Sequence, residues 1–475
     1  MLIWATALLT MCYILDCSIE ARHVTLTADQ TAIQIDRPRQ IEVFRPVQYL
    51  GSKMRSLAAI TEVVDRLSPG GPVMDAFSGT SVVGQALASH GHRVLASDAM
   101  GFASLFAKSM LGVGRQPIDT ADLISQLRTA EDYSWFEPWS TAVASEDEAV
   151  RSLDGPRLIE LSLGLPQVWR NTGGDEALNA QLEIVRGRVG RSTVNVAPIA
   201  ATHYAGTYFC IRHALEIDAL RQGIWSLKRA ALIGEWGEGL LLTALLAAAS
   251  EAAFSAGKHF AQPHAIHRQK DLTFAARRIV EDRRKSIRLL FDDRLTAALR
   301  LARPATENHI ATQATVDSLP ADWWRQAAVV YADPPYTAQQ YSRFYHVPEV
   351  LVNYRVPALE MIDSQPTRGL YPEGRYKSPY SSRAGAPVAF AHLCGSTADA
   401  RASLVISYSA SVNGQTGNDR MISLPDLLDI CARSFGRPAL TVVSLDHEYR
   451  QFNGELLAVD ARQDREYLVV CRGPA

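Results

Sequence analysis

Residues 73–80, Val-Met-Asp-Ala-Phe-Ser-Gly-Thr, decide the fold, because a short apolar run there passes directly into a glycine turn. Helical apolar spacing follows at 82–87, and after Gly91 the run 93–98 ends on the acidic residue Asp98. The pattern predicts a strand, a tight turn, a helix and a second strand. Two strands joined by a helix of this length predict a right-handed βαβ unit.

Further strand patterns return only late in the chain. The apolar run 327–331 leads into an acidic residue, the run 402–409 repeats that pattern, and the segments 440–443 and 467–470 predict a closing hairpin. The stretch from about residue 102 to 304 is rich in Ala, Leu and Arg at helical spacing, which predicts a mostly helical insertion. The chain is therefore predicted to be an α/β protein with a doubly wound, Rossmann-like parallel sheet.

Length and composition are those of a large globular chain. The 475 residues are 47% hydrophobic and 21% charged, which excludes a disulfide miniprotein and a mainly disordered chain. The net charge of −2, from 48 basic and 50 acidic residues, gives no global field toward nucleic acid, so a polyanion must be bound by a local patch. The six cysteines form no Cys-x-x-Cys pair and no Cys/His cluster. This predicts no metal site and reduced, mostly buried thiols in a cytoplasmic protein.

Two apolar segments raise the question of a membrane. Residues 2–15 are largely apolar, but no Lys or Arg precedes Arg22, and the segment is shorter than the roughly 18–20 residues that span a bilayer. A packed or frayed extension, or an upstream start codon, is favoured over a targeting segment. The run 239–256 is interrupted by Glu251 and has polar flanks, which favours a buried core helix. No membrane partner is expected.

The first glycine turn could bind a nucleotide-like ligand. It is not Gly-x-Gly-x-x-Gly, because Gly79 is followed by Thr80 and Ser81, which disfavours a dinucleotide cradle. Gly79 would still let the backbone approach a ligand closely. Asp98 ends the second strand about twenty residues later, where doubly wound folds bind ribose hydroxyls; an acid that caps the next helix is the alternative.

The motif Asp333, Pro334, Pro335 and Tyr336 follows the apolar strand that ends at Tyr331. Two prolines cannot continue a strand, so the chain must turn out at the carboxyl end of the sheet, where such folds bind ligands. A carboxylate and a stiff proline carbonyl can orient the amine of a nucleobase, and the tyrosine can stack on the base. A base reached in this way must have left the duplex stack. A purely structural turn is the alternative.

With these motifs in this order, the chain resembles the Dam-like alpha group of S-adenosylmethionine-dependent DNA adenine N6-methyltransferases. The resemblance begins at 45–53 (Arg-Pro-Val-Gln-Tyr-Leu-Gly-Ser-Lys), passes through the glycine turn and Asp98, and reaches Asp-Pro-Pro-Tyr. Segments around 207–221 and 407–409 are also similar, so about residues 45–475 are covered.

The resemblance implies a domain organisation and a class I methyltransferase fold. Residues 41–105 and 305–475 would form the catalytic domain that binds S-adenosylmethionine. The helical insertion 106–304 would be the DNA target-recognition region, because the alpha group places that region between the glycine motif and Asp-Pro-Pro-Tyr. Residues 1–40 match nothing in the family and are an extension to which no role is assigned.

The resemblance also implies a role for each matching residue. Lys53 would contact the cofactor carboxylate, and Asp98 would hold the ribose. Asp317 would lie near the cofactor adenine, with an exposed turn acid as the alternative. The target base would be held by Asp333, Pro334, Pro335 and Tyr336. The cofactor would be bound by Tyr49, Lys53, Asp75, Phe77, Gly79, Asp98 and Asp333. Ser81 departs from the family, in which many members have a second glycine at this position, and this puts cofactor affinity in doubt.

The implied activity is methyl transfer from S-adenosylmethionine to the N6 amine of adenine in DNA, without a metal, in a restriction-modification, phage or mobile-element context. Expected partners are double-stranded DNA with a flipped adenine and a cognate restriction endonuclease, and the expected oligomeric state is a monomer. RNA adenine and DNA cytosine-N4 methylation stay open as alternatives, as does an inactive DNA-binding relative. Protein glutamine methylation and a nucleotide-dependent oxidoreductase are disfavoured by Asp333 and by the missing dinucleotide motif.

Basic residues are the expected phosphate contacts. Phosphate contact and a solvated helix face are equally consistent with the Arg-rich stretch 268–303. The basic side chains concerned are Arg277, Arg278, Arg283, Arg284, Lys285, Arg288, Arg294 and Arg300, together with Arg343, Arg368, Arg375 and Lys377.

Overall fold

A computed structural model describes residues 41–131, 133–170, 176–189, 198–264, 272–410, 419–449 and 464–474. The N-terminal extension, with its apolar segment and the thiols Cys12 and Cys17, lies outside the described residues. Cys210, Cys394, Cys431 and Cys471 are free and buried, as expected of reduced thiols.

A seven-stranded sheet organises the chain. Its strands are β1 Val73–Asp75, β2 Val94–Asp98, β3 Ile310–Gln313, β4 Val329–Ala332, β7 Ser403–Ala410, β8 Leu440–Tyr449 and β9 Asp464–Cys471, in the order β3-β2-β1-β4-β7-β9-β8. The pairings from β3 through β7 are parallel, and β9 runs antiparallel to both β7 and β8. The predicted doubly wound α/β sheet and its closing hairpin are therefore confirmed. A separate small hairpin joins β5 Met361–Ile362 to β6 Gln365–Pro366.

Helices account for most of the remaining chain. The α-helices are α1 Leu57–Leu67, α2 Val82–Ser89, α3 Gly101–Met110, α4 Thr120–Ala130, α5 Ser140–Arg151, α6 Gly155–Gly164, α7 Glu176–Arg186, α8 Ile211–Arg229, α9 Glu235–Ala252, α10 Leu272–Arg283, α11 Ile287–Leu301, α12 Ala321–Gln326, α13 Tyr341–Phe344, α14 His346–Asn353, α15 Gly385–Asp399 and α16 Leu424–Phe435. Short helical turns lie at Lys53–Arg55, Ser134–Trp139, Ala200–Tyr204, Ala256–Lys258, Ala305–Glu307, Val316–Ser318, Pro379–Ser381 and Arg437–Ala439.

One face of the sheet packs against α15 and α16. Met74 of β1 and Leu404 of β7 share a buried core there with Leu393 and Ile430 from the two helices. Strands buried in this way have no polar face, which is why β1 and β4 read as short apolar runs rather than as alternating patterns. β1, β2 and β3 end on the polar residues Asp75, Asp98 and Gln313, and Asp333 directly follows β4.

The predicted helical insertion lies between β2 and β3, and every named secondary-structure element of the described residues from α4 to α11 is helical. Its core is shared with helices next to the sheet: Phe106 of α3 and Leu351 of α14 belong to the same buried cluster as Leu245 of α9 and Phe291 of α11. The helices of the insertion therefore pack on α3 and α14. The assignment of 106–304 as a separate target-recognition domain stays a prediction.

The run 239–256 forms most of α9, in which nearly every side chain is buried. This confirms the predicted core helix. Within the described parts of the chain, no helix combines the length and the apolar character needed to cross a bilayer.

Candidate active site

A cleft opens at the carboxyl ends of four neighbouring parallel strands. Phe77 follows β1, Asp98 ends β2, Asp317 follows β3 and Asp333 follows β4, and all four residues line the cleft. The empty space is about 780 Å³, including the part open to solvent. Doubly wound sheets bind ligands at this edge, because the strand order reverses there and the connecting loops part. The rest of the wall consists of Tyr49, Ala76, Ala99, Met100, Ala314, Thr315, Val316, Pro335, Gln340, Tyr341, Ser342, Tyr376, Ser378, Pro379 and Tyr380.

The turn after β1 requires glycine at one position. Gly79 has a φ of +48°, and a Cβ there would lie 3.2 Å from the ring of Tyr49, so a side chain would be both strained and crowded. Ser81, the residue that departs from the family, has a φ of +62° and precedes α2. This left-handed conformation is the one that glycine adopts most easily. The backbone of the turn thus has a conformation suited to glycine although a serine occupies the position.

Asp98 holds the glycine turn in place from β2. Its Oδ2 accepts a hydrogen bond from the Gly79 backbone N–H at 2.9 Å, and its Oδ1 accepts one from the Met100 N–H at 2.9 Å. Burial raises the pKa of Asp98 to about 6, although the Met100 and Gly79 N–H groups act against that shift. A carboxylate has about four acceptor sites, so two backbone donors leave capacity for ligand hydroxyls.

Asp75 does not reach the cleft wall. Its side chain is buried, and Oδ2 lies 3.5 Å from where a Cβ on Gly84 of α2 would be. Burial, with smaller contributions from the carboxylates of Asp98 and Asp333, raises the pKa of Asp75 to about 8. The predicted contact between Asp75 and a cofactor is therefore not supported by its position, which is behind the turn.

Asp75→Asn is expected to stabilise the protein at neutral pH. The carboxyl group has a pKa raised from 3.8 to about 8 in the folded state, so its favourable contribution is complete below about pH 4 and is lost as pH rises toward 8. Asparagine carries no such penalty, and the variant should be more stable by roughly 2–4 kcal/mol at pH 7. Urea unfolding at pH 5 and pH 7.5 measures the difference. Asp429→Asn, at an exposed position of α16, is the control, and equal stability of wild type and Asp75→Asn at pH 7.5 would contradict the prediction.

The Asp-Pro-Pro-Tyr motif is only partly directed into the cleft. Asp333 and Pro335 line it, whereas Pro334 is buried and lies outside the lining. The ring of Tyr336 is 6% exposed and packs edge-on to Tyr408, 5.7 Å away, with the Arg420 guanidinium 5.0 Å over it. The prediction that Tyr336 stacks on the base is not supported by this position. Tyr341, Tyr376 and Tyr380 supply aromatic surface to the wall instead.

Lys53 lies beside the Asp-Pro-Pro-Tyr motif and is buried. Its Nζ is 2.8 Å from Asp333 Oδ2, 3.1 Å from Glu466 Oε1 and 2.9 Å from the Gly51 carbonyl oxygen. Burial alone would lower the pKa of Lys53, but the carboxylates of Asp333 and Glu466 raise it well above its ordinary value. An ammonium has three N–H donors, and all three have acceptors here. Lys53 lies outside the cleft lining, and its contact with a cofactor carboxylate stays a prediction.

The protonation state of Asp333 depends on its burial and on two charged neighbours, Lys53 and Glu466. Burial raises the pKa of Asp333 to about 6, the Lys53 ammonium acts in the opposite direction, and Glu466 adds to the rise. The carboxyl group is thus ionised at neutral pH and begins to take up a proton just below it.

Tyr49 is held by two tyrosines that follow the Asp-Pro-Pro-Tyr motif. Its ring stacks on Tyr345 with centroids 4.6 Å apart and contacts Tyr341 at 5.3 Å. The Tyr345 hydroxyl accepts a hydrogen bond from the Leu50 N–H at 2.7 Å, and the Tyr341 hydroxyl donates one to the Leu50 carbonyl at 3.2 Å. The segment around Tyr49 is therefore tied to α13 and to Tyr345, which follows it. Tyr49 lines the cleft, and its contact with the cofactor stays a prediction.

Most arginines of the stretch 268–303 are paired within the protein. The side-chain pairs are Arg278 with His264, Arg283 with Glu146, Lys285 with Asp282, Arg288 with Glu131, Arg294 with Glu251 and Arg300 with Glu42. Arg343 and Arg375 both lie over the ring of Tyr371, and Arg375 also pairs with Glu360. These contacts favour the structural interpretation of the basic stretch. Arg368 and Lys377 are exposed, and Lys377 lies between the cleft residues Tyr376 and Ser378.

Two further features of the site are visible in the sequence. Glu466 follows the charged residues Asp464 and Arg465 at the start of β9, directly before the apolar run 467–471, and Tyr341 and Tyr345 are spaced by four residues shortly after the Asp-Pro-Pro-Tyr motif. An acid whose side chain is buried in a strand indicates a buried partner. Within the described residues, no group of three or more His, Cys, Asp or Glu side chains is arranged to hold a metal ion.

Fold and cleft together define the class: a Rossmann-like methyltransferase sheet with its ligand cleft at the carboxyl edge. Residues 49–139 match the family model of the D12 class N6 adenine-specific DNA methyltransferases. The match includes Tyr49, the glycine turn and Asp98, and it supports the adenine N6-methyltransferase family for this chain. It ends before the Asp-Pro-Pro-Tyr motif. No curated protein and no solved structure matches the chain.

Proposed function

We propose that this protein is a DNA methyltransferase that transfers a methyl group from S-adenosylmethionine to the N6 amine of adenine, of the Dam-like alpha group. One observation carries the proposal: Asp333, the first residue of Asp-Pro-Pro-Tyr, shares a cleft with Asp98 and Phe77 at the carboxyl edge of the sheet. The acid that would bind the nucleoside and the acid that would bind the amine thus line the same cleft.

The described residues fit a nucleoside cofactor. Gly79 brings backbone close to the cleft where a Cβ would crowd Tyr49, and Asp98 retains acceptor capacity for ribose hydroxyls. Phe77 and Tyr49 would form apolar walls, and Asp317 at the cleft rim would face the adenine. When bound, S-adenosylmethionine supplies a methyl group that is attached to a positively charged sulfur. Transfer of this methyl group needs no metal.

Asp333 orients the target amine. The lone pair of an aromatic amine is delocalised into its ring, and a hydrogen bond from its N–H to Asp333 would direct that lone pair toward the methyl donor. The predicted second acceptor, the Pro334 carbonyl, would have to turn toward the cleft, because Pro334 lies outside the lining. Positioning supplies most of the rate, because the two reactants are held in one geometry. The amine becomes acidic only after it has been methylated, so water can accept the proton and Asp333 need not be a strong base.

The target base would have to flip out of the duplex before it enters the cleft, because N6 of a paired adenine cannot reach a recessed carboxylate. The helical insertion 106–304 is proposed to read the DNA sequence. Arg368 and Lys377 are proposed phosphate contacts, since both side chains are exposed and Lys377 lies between the cleft residues Tyr376 and Ser378. Methylation within a restriction-modification or mobile-element system, with a partner endonuclease, is the proposed context.

Incubation with methyl-tritiated S-adenosylmethionine and duplex DNA, followed by digestion to nucleosides, tests the proposal. We expect label in N6-methyldeoxyadenosine. Label in N4-methyldeoxycytidine, label only when RNA replaces DNA, or no label above a protein-free control would each overturn the assignment. The sequence context of the labelled base then identifies the DNA word that is read.

A further inference from the structure

Glu466 is a buried acid with no role in the proposed chemistry so far. It lies in β9 and is 4% exposed. Its Oε1 accepts a hydrogen bond from the Ser407 hydroxyl at 3.1 Å, and its Oε2 accepts one from the Ser56 hydroxyl at 3.3 Å. Both of its oxygens are thus fixed by neighbouring elements, and Oε1 also faces the Lys53 ammonium at 3.1 Å. A buried carboxylate costs several kcal/mol of desolvation unless it is paired and hydrogen-bonded in this way.

The position of Lys53 depends on Glu466. The Lys53 ammonium has three acceptors, of which the Gly51 carbonyl belongs to the adjacent turn and Asp333 belongs to the site. Glu466 is the acceptor that β9 contributes. Without it, one N–H donor would be left in a buried environment, and the lysine would have to rotate to satisfy it.

The Lys53 contact selects one oxygen of Asp333. Nζ binds Oδ2 at 2.8 Å, and the Asp333 side chain is 20% exposed at the cleft. A carboxylate with one oxygen held by an ammonium presents the other oxygen to a ligand. The orientation of Asp333 is therefore set by Lys53.

We infer that Glu466 is a positioning residue for methyl transfer: through Lys53 it fixes the Asp333 carboxylate so that Oδ1 faces the cleft and accepts the target amine. The inference rests on the proposed function, and it deepens that function by adding a residue of β9 to the site.

The charges around Asp333 determine what substitutions should do. Glu466 raises the pKa of Asp333, and Lys53 lowers it. The titratable groups that face this network from the other elements are Tyr331, Tyr336, Tyr49, Asp75 and Asp98. Loss of the Glu466 charge should therefore lower the pKa of Asp333, and loss of the Lys53 charge should raise it.

The test compares Glu466→Gln, Glu466→Asp and Lys53→Met with the wild-type enzyme. We expect both Glu466 variants to lower kcat about ten- to a hundredfold, with the KM values for DNA and S-adenosylmethionine near those of the wild type. In Glu466→Gln the acid limb of the kcat profile should move to lower pH by about one unit, and in Lys53→Met it should move to higher pH. Glu466→Asp keeps the negative charge on a side chain that is shorter by one methylene. The acid limb of its kcat profile should therefore stay near the wild-type position.

Glu146→Gln is the matched control, because Glu146 is a buried carboxylate that pairs with Arg283 in the helical insertion. It should lower the melting temperature without moving the acid limb. If the Glu466 variants lose stability but keep kcat and the limb, Glu466 is only structural and the inference is wrong. If Glu466→Gln does not fold, Glu466→Asp carries the kcat test alone.

A readout without turnover separates this inference from the proposed function. The ¹³C-carboxyl NMR signal of Asp333, assigned by its absence in Asp333→Asn, reports the titration of that group directly. Movement of its midpoint in opposite directions in Glu466→Gln and Lys53→Met supports the network even if no methyl transfer is found. An unmoved midpoint in both variants overturns the inference, whatever the enzyme does.

Discussion

Asp333→Asn is expected to abolish methyl transfer, with a loss of about a thousandfold or more, the scale of removing an oriented polar group from an active site. The reason lies in Lys53. Its ammonium, 2.8 Å from Oδ2, would attract the amide oxygen of asparagine, which turns the amide NH₂ toward the cleft. The target amine would then face a donor instead of an acceptor, so the isosteric change should be as harmful as Asp333→Ala.

The measurement is single-turnover transfer of tritium to duplex DNA at saturating S-adenosylmethionine. DNA affinity, followed by fluorescence anisotropy, and the melting temperature should stay close to wild type, because the substitution preserves the shape of the side chain. Asp322→Asn, at an exposed position of α12 where the aspartate pairs with Arg325, is the control and should transfer normally. A near-normal rate in Asp333→Asn would remove Asp333 from the mechanism.

The sheet was predictable because each of its signals is local. The apolar runs that became β1, β2, β4 and β7 end in polar residues within a few positions, and the strand-turn-helix pattern at Gly79 needs no distant partner. The same locality placed Asp98 and Asp333 at the carboxyl edge, since parallel strands bring their ends to one side. These two acids are the part of the site that spacing alone could locate.

The direction of individual side chains was not predictable, because it depends on partners far away in sequence. Lys53 faces Glu466 rather than the open cleft, and these residues are more than four hundred positions apart. Tyr336 turns toward Arg420 and Tyr408, which belong to elements that follow it. The role of the Arg-rich stretch 268–303 could not be predicted for the same reason. Arg300, for example, pairs with Glu42, which precedes the whole sheet. Charge and aromatic character are visible in a sequence, but pairing is a property of the folded chain.

Binding of S-adenosylmethionine is expected to weaken about a hundredfold between pH 7.5 and pH 5. Asp98 and Asp333 line the cleft, and burial raises the pKa of each to about 6. At pH 7.5 both are mostly ionised, whereas at pH 5 each is mostly protonated. A ligand that requires both ionised forms loses about tenfold in affinity for each group over one pH unit below the pKa. Binding near pH 6 should accordingly release protons, which calorimetry in buffers of different ionisation enthalpy detects.

The two contributions can be separated because the donor and its product differ by one charge. S-adenosylhomocysteine keeps the ribose hydroxyls that Asp98 would bind but lacks the sulfonium charge that the Asp333 carboxylate would favour. Its affinity should therefore fall only about tenfold over the same pH range. In Asp98→Asn the dependence for S-adenosylmethionine should also shrink to about tenfold, and that for S-adenosylhomocysteine should become nearly flat. If the affinities of the donor and the product showed the same pH dependence in the wild-type protein, the charge of Asp333 would not contribute to binding of the sulfonium, and the prediction would be wrong.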